Sequence, residues 1–219
     1  MSEETGFLRF QRLMVDFAQE HLAPFLSHLK EGNVISHPLD KNFTAVFYGF
    51  TDISATLDAL KLTETLIGLS PPRSSKVNKD DYLKFLVGAY LQEVYILEQR
   101  LTAYGKKMSR LYKSGGLPEK VKRVVYEPLE KILTIRGSHV HQERFTDDDL
   151  NTVSTYVLFS RFKETYAEDV HFEYAQARRK WKRQIEENNR ATASIVDQYF
   201  DLLFEHMCQQ GKFVPPSIK

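Results

Sequence analysis

The residue types most able to do chemistry in this 219-residue chain gather in one short run, Arg136-Gly137-Ser138-His139-Val140-His141. Arginine is a fixed cation whose planar fork matches phosphate oxygens, and histidine exchanges a proton near neutral pH. Together they are the minimal equipment for metal-independent phosphodiester cleavage. A histidine would take the proton of a ribose 2′-hydroxyl or return one to the leaving oxygen, while the arginine stabilises charge growing on the phosphorus oxygens. Arg136 and His141 are therefore the candidate catalytic pair, His139 a reserve base or substrate contact, and Ser138 a substrate-binding candidate. The same side chains also suit a plainer duty at a helix end, where arginine and histidine bind terminal carbonyls and complement the dipole. His139, His141 and Glu143 fall on one side of an extended segment, but no second cluster completes a metal shell, so neither metal nor other cofactor is expected.

A second run, Arg178-Arg179-Lys180-Trp181-Lys182-Arg183, sets five cations around a tryptophan. Arg178, Arg179, Trp181 and Lys182 are substrate-binding candidates, because cations track a nucleic-acid backbone and an aromatic ring stacks on a base. The alternative is a solvated helix face, with Trp181 in the core and the cations balanced by Glu173, Glu186 and Glu187. The two runs reinforce each other only if they lie close together.

Helices must position both. Phe7 to about Lys30 carries Phe10, Met14, Phe17 and His21 in steps of three and four. Asn42 to Phe50 is rich in aromatics and reads equally as a short strand or as the approach to a helix, which Thr51 or Asp52 would cap and Ile53, Leu57, Leu60 and Ile67 would carry to about Leu69. The strongest pattern begins at Asn78, with Asp81 three residues on. From there Leu83, Val87, Tyr90, Val94, Leu97, Leu101, Tyr104, Met108 and Leu111 repeat in 4-3 steps over four heptads, and Lys84, Glu93, Glu98, Arg100, Lys106 and Arg110 lie among them as solvated positions. That seam is assigned to an intramolecular bundle, with a dimer contact as the alternative.

Gly115-Gly116 ends the long helix, and Leu117-Pro118 starts another that runs through a kink at Pro128 to Ile135, where it delivers Arg136. Thr146, with acids at 147–149, reads as the next cap. Arg136 to Phe145 thus sits at a helix-to-helix junction. The junction matters, because residues five apart on a regular helix diverge by about 140° and only a bend lets Arg136 and His141 converge. Residues 147–210 contain neither Gly nor Pro, yet one straight helix of that length would reach about 95 Å, so a break is expected near Ala167-Glu168-Asp169. The tail from Gly211 to Lys219 reads as irregular and mobile.

The expected fold is all-α, an up-and-down helical bundle of about five to seven helices with at least one long amphipathic helix. Residues 1–75 form an N-terminal helical segment packed on a bundle of residues 76–210, one compact domain overall with residues 211–219 as its tail. Thirty Lys and Arg against 29 Asp and Glu exclude a global field drawing the chain to nucleic acid or an anionic membrane, so any such contact is local. One cysteine, Cys208, excludes an intrachain disulfide framework and reads as a small buried hydrophobe. The N-terminal residues are acidic with no apolar leader, and no apolar run approaches the roughly 20 residues of a membrane span, which together read as cytoplasmic. P-loop, dinucleotide, zinc-cysteine, His-Glu-x-x-His and Gly-x-Ser-x-Gly signatures are all absent.

Arg136-x4-His141, set in helical surroundings from about Asn78 onward, resembles the Arg-x4-6-His motif of the HEPN superfamily. The resemblance implies an α-helical bundle whose arginine and histidine are Arg136 and His141, paired across a homodimer to form one cleft. It implies RNA binding, metal-independent endoribonuclease activity of a toxin or phage-defence type, and RNA or an antitoxin-like protein as partner. Gly137 stands where active members often carry a polar residue. The alternative function is a non-catalytic helical protein-interaction module or dimeric scaffold, engaging its partner through the 83–111 seam or the long C-terminal helix.

Overall fold

In the computed structural model of the chain the described residues are 4–30, 41–71, 76–130, 132, 134, 147–209 and 212–214. In order they form α1 (Gly6–Lys30), α2 (Lys41–Phe43), a π-helical turn (Thr44–Tyr48), α3 (Gly49–Gly68), α4 (Lys79–Leu111) and α5 (Leu117–Val121). A second π-helical turn (Lys122–Tyr126) leads into helical residues 127–130. Then come α6 (Asp148–Ser160), a 3₁₀ turn (Glu164–Tyr166), α7 (Ala167–Met207) and two antiparallel two-residue strands, β1 (Cys208–Gln209) and β2 (Lys212–Phe213). The fold class is the all-α helical bundle that the periodicity predicts.

The seam of α4 is buried within the chain: Leu83, Val87, Tyr90, Val94, Leu97, Leu101, Tyr104 and Met108 are all core residues. Its apolar surface therefore leaves water without a partner chain, and the intramolecular assignment holds. Glu98 is a correction, since it is buried at 5% exposure rather than solvated. A second stripe explains it: Val87, Leu91, Val94, Glu98, Leu101, Gly105 and Met108 also run in steps of four and three, so α4 has two buried edges. The helix closes on Lys113, whose φ of 54° is left-handed, with Ser114 N–H donating to Ser109 O at 2.9 Å. The left-handed residue is thus a lysine ahead of the two glycines.

The chain divides into two compact units. The first comprises Met1–Ala55, Glu98–Pro128 and Ala193–Lys219. Phe10, Phe50 and Phe200 pack ring to ring, with Phe10–Phe200 centroids 4.8 Å apart. Asp197 accepts the Phe7 N–H at 3.0 Å and so caps the start of α1. The undecided stretch 42–50 is helical. Tyr104 donates its hydroxyl to Val46 O at 3.0 Å, and its ring lies where a Cβ on Gly49 would come within 2.5 Å, so only glycine admits it.

Within this unit the tail is less irregular than expected. Gln209 pairs with Lys212 and Cys208 with Phe213, Val214 N–H donates to Met207 O at 2.9 Å, and Tyr112 donates to Val214 O at 2.9 Å. Burial pushes the Cys208 thiol up to about 11, with the Arg9 guanidinium pulling the other way. At pH 8 its thiolate is then roughly a hundredfold rarer than an ordinary cysteine's, and alkylation should slow in proportion. Labelling with iodoacetamide at the rate of a free peptide thiol would contradict this burial.

The second unit comprises Thr56–Leu97 and Leu129–Thr192. Its core is Leu60, Ile67, Leu83, Val87, Tyr90, Val94, Leu129, Leu150, Val153, Trp181 and Ile185. Asn189 donates to Glu64 at 2.5 Å in the same unit. The helix break falls at Arg161–Tyr166, a few residues before the expected position: Phe162 and Lys163 both donate to Phe159 O, and Lys163 turns extended at φ −143°, ψ 117°.

Candidate functional site

Arg136, Ser138, His139 and His141 lie outside the described residues, as do Glu143 and Thr146. Their flanks are described. Upstream, Leu129 and Ile132 are buried and helical residues reach Thr134, whose hydroxyl donates to Glu130 O at 2.8 Å. Pro128 lacks an N–H and in a regular α-helix its ring would collide with the carbonyl four residues back; the π turn before it, with Glu127 N–H reaching Lys122 O, widens the helix at that point.

Downstream, the cap of α6 is Asp147 and not Thr146. Its Oδ1 accepts Asp149 N–H and Leu150 N–H, both at 3.1 Å, and its own backbone is extended at φ −126°, ψ 132°. The same oxygen lies 3.3 Å from Trp181 Nε1, which donates to it. Asp147→Ala should cost about 0.5–2 kcal/mol, read as a lowered midpoint in chemical denaturation. An unchanged midpoint would show that the cap contributes nothing.

The basic run lies on α7. Arg178 is committed to the end of α3: its Nε donates to Ile67 O at 2.9 Å and its Nη2 to Gly68 O at 2.7 Å and Leu69 O at 2.6 Å. A cation there satisfies orphan carbonyls and complements the helix dipole. Trp181 is 4% exposed, and a ring covered to that degree has no face to offer a base. Lys180 pairs with Asp149, whose hydrogen bond raises the lysine's pKa. Arg179 donates to Ala175 O at 3.2 Å and Lys182 lies 3.6 Å from Glu186, both exposed. Arg179, Lys182 and Arg183, spaced three and four apart, make one solvent-facing cationic edge.

One further constellation, in the first unit, escaped the sequence reading. Glu98 lines a cavity of about 260 Å³ between α4 and α5 with its following π turn. Thr102 Oγ1 donates to Glu98 Oε1 at 3.0 Å, and Gln99 Nε2 donates to Oε2 at 2.5 Å. The helices approach closely because position 105 is glycine: a Cβ there would meet Val121 Cγ2 at 2.9 Å. The available signal was the heptad spacing of Leu91, Glu98 and Gly105, in which a carboxylate and a glycine occupy an otherwise apolar stripe.

Among the described residues no group of three His, Cys, Asp or Glu side chains could hold a metal ion, and no helix is long and apolar enough to cross a membrane. Comparison of the chain with protein-family models, with curated proteins and with solved structures returns no match in any of the three.

Proposed function

We propose that this chain is a HEPN-like RNA-binding protein and a metal-independent endoribonuclease of toxin or defence type, acting as a homodimer with Arg136 and His141 as its catalytic pair. The observation that carries the reading is the tether at Asp147. This residue, six positions after His141, accepts the Trp181 indole N–H at 3.3 Å, and Lys180 pairs with Asp149 in the first turn of α6. The start of α6, which follows the motif segment in sequence, is thereby joined to the stretch of α7 that carries the basic run, whose Arg179, Lys182 and Arg183 face solvent. Backbone phosphates held on these cations bring single-stranded RNA to the motif segment. A neutral histidine then takes the 2′-hydroxyl proton as the oxygen attacks phosphorus, Arg136 stabilises the five-coordinate phosphorane, and a protonated histidine, His139 or a copy of His141, returns a proton to the departing 5′-oxygen. The products are a 2′,3′-cyclic phosphate and a free 5′-hydroxyl, with no metal in the balance.

The test is cleavage of single-stranded RNA in EDTA by the native protein, Arg136→Ala and His141→Ala. Native activity lost in both variants supports the reading. Three equally inert or equally active proteins refute it and leave the interaction-module reading. That second reading has its own observation: around the 3₁₀ turn Tyr156, Phe159 and Tyr166 pack at 5.5–6.5 Å, and Phe162 beside them is 81% exposed. Apolar surface of this kind marks contact sites. The seam of α4, being buried, is not available to a partner.

A further inference from the structure

Glu98 is a carboxylate inside the protein fold whose donors among the described residues are neutral, Thr102 and Gln99. An ionised carboxylate has about four lone-pair sites, and burying one without a cation is costly unless something else completes its shell. Among the described residues no lysine or arginine forms an ion pair with it. Lys106 and Lys122, which line the same cavity, are both exposed, and Lys106 sits eight residues along α4, about 12 Å at 1.5 Å per residue. The cavity's volume of about 260 Å³ far exceeds what one water needs and approaches the range of small-molecule pockets. The rest of the lining includes Thr102, Pro118, the buried Val121 and Tyr126. Glu119 at the rim offsets only one of the lysines.

We infer that this cavity binds a small zwitterion: a primary ammonium that seats on Glu98, a short apolar chain, and an anionic far end that meets Lys106 and Lys122. The class is that of an ω-amino acid. A diamine is disfavoured because its second ammonium would face the rim lysines, and a simple carboxylate is disfavoured because it brings no cation to Glu98. The site is independent of the motif at Arg136 and stands or falls without it.

A matched five-carbon series tests this by calorimetry on the full chain at pH 7: 5-aminopentanoate, pentylamine, 1,5-diaminopentane and pentanoate. Saturable binding of 5-aminopentanoate is expected with Kd near 1 mM or below, each of the other three binding at least about tenfold more weakly. Glu98→Gln should abolish it. Because that change is buried, a second variant guards against misfolding: Lys106→Glu with Lys122→Glu alters only exposed side chains and should invert the ranking, so that diaminopentane outbinds 5-aminopentanoate. Absence of saturable binding by 5-aminopentanoate, equal binding of pentanoate, or an unchanged ranking in the double variant would overturn the assignment.

Discussion

Trp181→Ala is expected to lower the free energy of unfolding by about 3–5 kcal/mol, the usual cost of truncating a large aromatic in a packed core. Trp181 is 4% exposed and shares its stripe of α7 with Ala177 and Ile185, at 1% and 0%. The cavity left behind is bounded by a helix that cannot collapse without moving its neighbours. For a chain of this size the loss corresponds to a thermal midpoint lower by roughly 6–20 °C, measurable by circular dichroism. Trp181→Phe separates the parts: it keeps most of the ring and gives up the indole N–H to Asp147, so its cost should be nearer 1 kcal/mol plus a packing remainder. If that hydrogen bond helps to position the RNA site, the phenylalanine variant should lose RNA affinity at a nearly intact midpoint, and unchanged affinity would leave the tether without a part in binding.

Local periodicity carried most of the fold. The 4-3 repeat of α4 marks one face unambiguously, and eight of its nine seam residues from Leu83 to Met108 are buried. Glu98 was missed because a charged residue adjoining a seam normally lies at a solvated flank; only the second stripe through Leu91 and Gly105 places it inside. The stretch 42–50 stayed ambiguous because aromatic density favours strand while its helical register is interrupted by a π turn, which shifts the period. The cap at α6 was displaced by one residue since Thr146 and Asp147 are both good capping residues. Candidate chemistry was legible as residue types, but partners distant in sequence were not. Arg178 reads as one of five cations until the carbonyls of Ile67, Gly68 and Leu69, more than a hundred residues earlier, claim its guanidinium. Trp181 reads either as a stacking ring or as a core residue, and its burial at 4% exposure decides for the core.

His141→Ala is expected to lower the rate of RNA cleavage by about 10²–10⁴-fold, the range supplied by a positioned acid or base. The pH dependence makes the claim sharper than the rate alone. Cleavage through one neutral and one protonated histidine gives a bell-shaped pH profile, and loss of His141 should remove one limb rather than scale the whole curve. Arg136→Ala should cost about 10²–10³-fold with the bell retained, because it removes charge stabilisation and leaves the proton transfers in place. Arg136→Lys should recover only part of that, since an ammonium supplies the charge without the bidentate fork. If one cleft is built from two copies, mixing Arg136→Ala with His141→Ala subunits should restore activity that neither variant shows alone, each contributing the residue the other lacks. A mixture no more active than its components would confine each catalytic pair to a single chain, and a His141→Ala profile with both limbs intact would remove His141 from the reaction altogether.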